Sequence, residues 1–130
     1  MTLVEIREES DIVQARAAAK EVAAVIGFGL VDQTRISTSV SELSRNIFMY
    51  AGSGEVRIEE INAPQRGIRI TFVDKGPGIQ DIDLALMDGW STSNSMGKGL
   101  PGAKRLMDRF DVHSEKGEGT TVIIEKWLED

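Results

Sequence analysis

A chain of 130 residues, 41% hydrophobic and 28% charged, has the composition of one folded globular unit that needs no disulfide or metal staple. Its formal net charge of −6 excludes a broad basic face for nucleic acid, and the lack of cysteine excludes disulfides, thiolate nucleophiles and cysteine-ligated metals. No apolar run approaches the ~20 residues of a membrane span and no signal-peptide pattern opens the chain, so the expectation is a single cytoplasmic domain over residues 1–130.

Residues 3–8 alternate weakly and read as a first strand at a sheet edge. Ser10 or Asp11 is the expected cap of a helix running to about Ile26, where Gly27 and Gly29 stop it. Asp32 is the expected cap of a second helix that ends near Gly52-Ser53-Gly54. Within it Ile36, Val40, Leu43 and Ile47 recur at spacings of four, three and four, one stripe of an α-helix. Glu55–Ile61 and Gly67–Asp74 read as strands joined by a polar turn over 62–66, with Ile68, Ile70 and Phe72 alternating with Arg69, Thr71 and Val73 in the second.

An irregular stretch rich in glycine and serine follows from Lys75 to Gly102, broken by a short helical piece around Asp81–Met87. Leu100–Phe110 reads as a third helix. Asp111–Glu115 and Thr120–Leu128 read as a closing hairpin about a type I′-like turn at 116–119. The order β-α-α-β-β-α-β-β, with neighbouring strands antiparallel and helices segregated, predicts a two-layer α+β sandwich.

Four patterns carry possible chemistry. Glu42 and Asn46 lie four apart on the second helix, so they stack on one face beside the apolar stripe. A carboxylate there can take a proton or orient a hydroxyl, and an amide oxygen can ligate a hard cation such as Mg²⁺. Asp74-Lys75-Gly76-Pro77-Gly78 sits where a strand stops. It reads as a plain turn, or as a carboxylate that accepts from a ligand amino group while Gly76 and Gly78 permit close approach.

Gly97-Lys98-Gly99-Leu100-Pro101-Gly102 matches G-x-G-x-x-G, yet no strand precedes it, which removes the dinucleotide-binding reading. A Walker A reading fails because Ala103-Lys104-Arg105 follows Gly102. What remains is a glycine loop that turns backbone N–H groups and a helix start toward an anion, with Lys98 as one added charge. Gly117-Glu118-Gly119-Thr120-Thr121 is explained as a hairpin turn. The lone His113 reads as a surface or half-buried structural residue, and Trp90 and Trp127 read as packing residues.

The order and spacing of Glu42-x-x-x-Asn46, Asp74-x-Gly76-x-Gly78, Gly97-x-Gly99-x-x-Gly102 and Gly119-Thr120 resemble the four boxes of the GHKL ATPases. That superfamily includes gyrase-type topoisomerases, Hsp-type chaperones, sensor histidine kinases and MutL. The resemblance spans about residues 32–128. A stand-alone domain of this size is similar to the anti-sigma-factor kinases, as are the segments Ser41–Asn46, Gly89–Ser93 and Gly99–Asp108; Trp90 replaces a phenylalanine of that family.

The resemblance implies a GHKL (Bergerat) α/β sandwich with a mostly antiparallel sheet and helices on one face. It implies ATP and Mg²⁺, with Asn46 holding the metal against the phosphates. Asp74, helped by Thr120 or Thr121, would accept from the adenine amino group, and Gly76 and Gly78 would shape the base pocket. Gly97, Gly99 and Gly102, with Lys98, would wrap the phosphates in a lid. Glu42 would orient or deprotonate an attacking serine or threonine hydroxyl.

As implied partners the family offers STAS-domain scaffold or antagonist proteins of the stressosome as substrates and a PP2C-like phosphatase as effector. The expected function is therefore a serine/threonine protein kinase acting by partner switching in a sigma-factor stress pathway. Two other readings compete: a non-catalytic, nucleotide-dependent binding module, and a simple ATPase.

Overall fold

The computed structural model describes residues 1–76, 100–115 and 117–129. Among these residues the elements are β1 (Thr2–Ile6), α1 (Glu9–Ile26), α2 (Leu30–Asn46), β2 (Gly54–Ile61), β3 (Gly67–Asp74), α3 (Leu100–Leu106), β4 (Arg109–Glu115) and β5 (Gly119–Trp127). All five strands form one antiparallel sheet in the spatial order β1-β2-β3-β5-β4. The helices lie on one face of it, which gives the expected two-layer α+β arrangement.

Alternation selects that face. Val56 and Ile58 of β2, Ile68, Ile70 and Phe72 of β3, and Val122 and Ile124 of β5 are all buried. The register pairs Ile58 with Ile70 and Ile70 with Ile124, so these side chains form continuous rows across the sheet. α2 lays the expected stripe Ile36, Val40, Leu43 and Ile47 onto this core. α1 packs on α2 and the sheet through Ala15, Ala19 and Ala23, all fully buried. With nothing beyond Cβ at three successive turns, the α1 backbone comes close; a leucine at Ala19 would overpack the seam by about 1–3 kcal/mol.

Several boundaries differ from the sequence expectation, each for a local reason. β1 ends at Ile6 rather than at residue 8, because Arg7 and Glu8 are taken into the start of α1. The cap of α1 is Glu8, not Ser10 or Asp11; Asp11 instead reaches back, its Oδ2 accepting from the backbone N–H groups of Arg7 and Glu8 at 2.9 Å each. α2 is capped by Gly29, not Asp32. Asp32 lies in the first turn, where a carboxylate is favoured by the helix dipole, and it pairs with Arg35 at 3.0 Å.

The third helix stops at Leu106, and Arg109 and Phe110 belong to β4. Asp108 breaks the helix by joining the sheet: its N–H donates to Glu125 O at 3.0 Å and its Oδ2 accepts from Trp127 N–H at 2.8 Å. The central residues of the turn at 116–119 do not have type I′ geometry. Gly117 has a positive φ of 81°, but no described non-glycine residue does, so Glu118 lacks the second positive φ that a type I′ turn needs. The helical piece at 81–87 and Trp90 lie outside the described residues.

Candidate functional site

α2 delivers the first two site residues. Four helical residues advance by about 40° beyond a full turn, so Asn46 follows Glu42 just beside it, on the side nearer the core stripe. The Glu42 side chain is 40% exposed and pairs with Arg45 at 3.3 Å. Asn46 is half-buried: its Nδ2 is sealed from solvent with no hydrogen-bond partner among the described residues.

α2 does not close with a capping glycine. It widens into a π-turn over Ile47–Ala51, closed by Gly52 N–H donating to Ile47 O at 2.9 Å. The end of this turn supports the Asp74 loop. A Cβ on Gly76 would lie 2.6 Å from Ala51 Cβ and 2.9 Å from Ala51 Cα, so only glycine allows the strand-end loop to settle there. Gly54, at the start of β2, is similarly pinched between Ile47 and Val73. The Glu42–Asn46 helix and the Asp74 turn, far apart in sequence, are thus packed into one place.

Asp74 ends β3 and is paired with Gly54 on one side and Thr120 on the other. It is 9% exposed, and its Oδ1 accepts from Gly76 N–H at 2.9 Å and Thr120 N–H at 3.3 Å. Burial pushes the carboxyl above its usual value, against the lowering effect of those two backbone bonds. Oδ2 lies outside both bonds. Thr120 is buried beside it, with its Oγ1 3.0 Å from Ser114 Oγ. Ser114 donates its hydroxyl proton to Gly119 O at 3.1 Å, so Thr120 is the donor within the pair and keeps its lone pairs.

Thr121 is not part of this arrangement. Strand alternation turns it to the opposite face of the sheet, between Val73 and His113. Gly102 lies in α3, which docks on the core through Ala103, with Met107 buried just beyond its end; no described atom comes within 4 Å of a Cβ built at Gly102. Gly78, Gly97, Lys98 and Gly99 lie outside the described residues. Ala51, Gly54 and Ser114 support the site, and no motif in the sequence marks them.

The site therefore joins a buried hydrogen-bond acceptor at a strand end, an unpartnered carboxamide and a solvent-reaching carboxylate on the adjoining helix. No group of three or more histidine or acidic side chains that could cage a metal occurs among the described residues. No described helix is long and apolar enough to cross a membrane.

Residues 31–130 match the family described as histidine kinase-, DNA gyrase B-, and HSP90-like ATPase. The chain belongs to that family of GHKL ATPase domains. The serine/threonine-protein kinase RsbT of Bacillus subtilis (strain 168) is 51% identical over 96% of this chain and 95% of its own length. The anti-sigma F factor of Clostridium beijerinckii (strain ATCC 51743 / NCIMB 8052) is 36% identical over 70% of this chain and 68% of its own. The histidine kinase domain of the Erythrobacter litoralis EL346 blue-light activated histidine kinase has the same fold, with a TM-score of 0.57 at 20% identity; the match covers 91% of this chain and 63% of that one.

Proposed function

We propose that the chain is an ATP-dependent serine/threonine protein kinase. In this reading it is a single cytoplasmic domain that phosphorylates STAS-domain proteins of a stressosome and regulates a sigma-factor stress pathway by partner switching. Its freed form binds a PP2C-like phosphatase. The observation that carries the reading is the packing of the Glu42–Asn46 helix end beneath the Asp74–Gly76 turn, which unites a proton acceptor, an oxygen ligand and a base-recognising carboxylate. The 51% identity to a protein named as a serine/threonine kinase supports it.

ATP is the substrate that these residues fit. Asp74 accepts from the adenine amino group through the carboxylate oxygen that its backbone bonds leave over, and Thr120 adds a lone pair beside it. Gly76 and Gly78 shape the base pocket, while Gly97, Gly99 and Gly102 with Lys98 wrap the phosphates. Asn46 would hold Mg²⁺ through its amide oxygen, the donor type that a hard cation takes, and its carboxamide has no partner for Nδ2 among the described residues. A magnesium ion held there would supply neutralisation of the phosphate charge.

Glu42 supplies the remaining chemistry. The acceptor serine or threonine oxygen attacks the γ-phosphorus and the bond to the β–γ bridging oxygen breaks. ADP leaves, and the hydroxyl proton passes to the Glu42 carboxylate. Positioning and charge neutralisation dominate such a transfer, which is why few protein groups suffice.

The relative named an anti-sigma F factor favours a second reading, a nucleotide-dependent binding module. The deciding experiment is transfer of the ATP γ-phosphate, with Mg²⁺, to a purified STAS-domain protein by wild type, Glu42→Gln and Asn46→Ala. Label on serine or threonine with wild type alone supports the kinase and both residue roles. Absence of label, with ATP binding abolished by Asp74→Asn, supports the binding module.

A further inference from the structure

A polar groove of 610 Å³ runs between α1 and α2, lined by Arg16 and Lys20 from the first helix and Thr38, Ser41, Glu42 and Arg45 from the second. Three cations against one carboxylate reverse the balance of the whole chain, which has 21 acidic and 15 basic residues. Among the described residues every arginine except Arg16 has a partner, as Arg7, Arg35, Arg57, Arg66, Arg69 and Arg109 illustrate. Lys20 is equally without one among these residues, and both side chains are exposed. They stand four residues apart on α1, side by side, an arrangement in which like charges disfavour the helix. The fold gains nothing from this pair.

The position of Glu42 gives the pair a use. On the α2 surface Arg45 lies about 60° to one side of Glu42, toward the groove, and Asn46 about 40° to the other. A phosphate held at Asn46 and a hydroxyl arriving along the groove would therefore meet at the same carboxylate. We propose that this groove receives the segment of the protein substrate that carries the acceptor hydroxyl, and that this segment is acidic, read by Arg16, Lys20 and Arg45. Thr38 and Ser41 offer hydroxyls that hydrogen-bond an extended peptide. The inference rests on the kinase reading of Glu42 and adds the chemistry of what is brought to it.

The test uses the full chain and a double variant, Arg16→Glu with Lys20→Glu, assayed for phosphate transfer to a recombinant STAS-domain protein at saturating ATP. The KM for that protein should rise at least about tenfold, with kcat and ATP affinity changed less than about twofold. The wild-type KM should rise with salt and the variant's should not. A substrate whose carboxylates nearest the acceptor are replaced by lysine should restore the variant's KM. An unchanged KM at every ionic strength overturns the groove while leaving the kinase intact.

If wild type transfers nothing, the kinase reading itself fails. The groove is then decided by fluorescence anisotropy of the labelled STAS-domain protein against both forms with a non-hydrolysable ATP analogue. Equal affinities overturn it, and weaker binding by the variant upholds it. Both substituted residues are exposed; should the charge reversal unfold α1, Arg16→Gln with Lys20→Gln gives the same comparison.

Discussion

Thr120 donates its backbone N–H to Asp74 Oδ1 at 3.3 Å, across 46 positions of sequence. The bond runs from backbone to side chain, at the position where the register of β3 and β5 sets the two residues opposite each other. The carboxylate at the centre of the site is thus oriented by a strand whose pairing depends on closure of the sheet.

Replacing Asp74 by Asn keeps the shape and one acceptor while removing the charge. Loss of a charged hydrogen bond of this kind costs about 1.5–3 kcal/mol, so ATP affinity should fall about 10- to 150-fold by calorimetry. The pH dependence follows from burial, which raises the folded-state pKa above the unfolded one. The native state then holds more protons in that window, and its stability drops as pH rises through the raised value. Thermal unfolding across that range should show this loss in wild type and not in Asp74→Asn. Wild-type ATP binding should weaken as acid protonates the group.

Two glycines of the motifs separate stability from ligand binding. Gly119 has φ 104°, and a Cβ there would run into the Asp74 carbonyl oxygen and Lys75 Cα. Gly119→Ala should cost at least about 2 kcal/mol and carry ATP affinity down with it, since it displaces Thr120 from Asp74. Gly102→Ala meets no described atom and adds helix propensity, so its melting temperature should match or exceed wild type. Its ATP affinity should nevertheless fall if Gly102 lies against the phosphates. Scanning calorimetry with and without ATP distinguishes the two patterns.

The legible parts of the fold were those written in short-range periodicity. The stripe Ile36, Val40, Leu43, Ile47 and the alternation Ile68, Ile70, Phe72 each identify a face without reference to the rest of the chain. The pairing of β3 with β5 is absent from any local window because the paired residues lie more than 40 positions apart, Asp74 and Thr120 being separated by 46. Thr121 shows the consequence: Thr120 and Thr121 look equivalent as letters, and only the register settles which shares a face with Asp74. The end of α3 was missed for a similar reason, since Asp108 is drawn out of helix by Trp127 and Glu125. Gly76 was legible as a turn residue, but its need for glycine comes from Ala51 beneath it.

Ser44 carries a fully buried hydroxyl on α2 with no hydrogen-bond partner among the described residues. An orphaned buried hydroxyl costs about 1–3 kcal/mol, and alanine is the better helix former. Ser44→Ala should therefore stabilise the chain by about 1 kcal/mol, a rise of about 3–6 °C in melting temperature. The serine is two residues from Asn46, so ATP affinity should be measured on the same sample. A stabilised variant with unchanged affinity assigns the defect to packing alone.

Among the described residues Glu125 is the one acid that the sheet buries on the face away from the helices, at 1% exposure. Arg69 donates to its Oε2 at 2.8 Å and Arg109 at 2.7 Å, while Trp127 Nε1 approaches Oε1 at 3.3 Å. Burial pushes the carboxyl up, but the two guanidinium groups outweigh it and hold the folded-state pKa below the usual glutamate value. A lowered carboxylate pKa contributes stability that is present above the unfolded-state value and lost as pH falls through the folded one. Glu125→Gln should thus cost about 1–3 kcal/mol near neutral pH, less than for a deeply buried pair, because both arginines reach solvent once released. The gap between variant and wild type should close in acid, below the usual glutamate range. Urea unfolding of the two proteins at about pH 7 and about pH 3 reads it directly, and a gap of equal size at both would locate the stabilisation in packing rather than in charge.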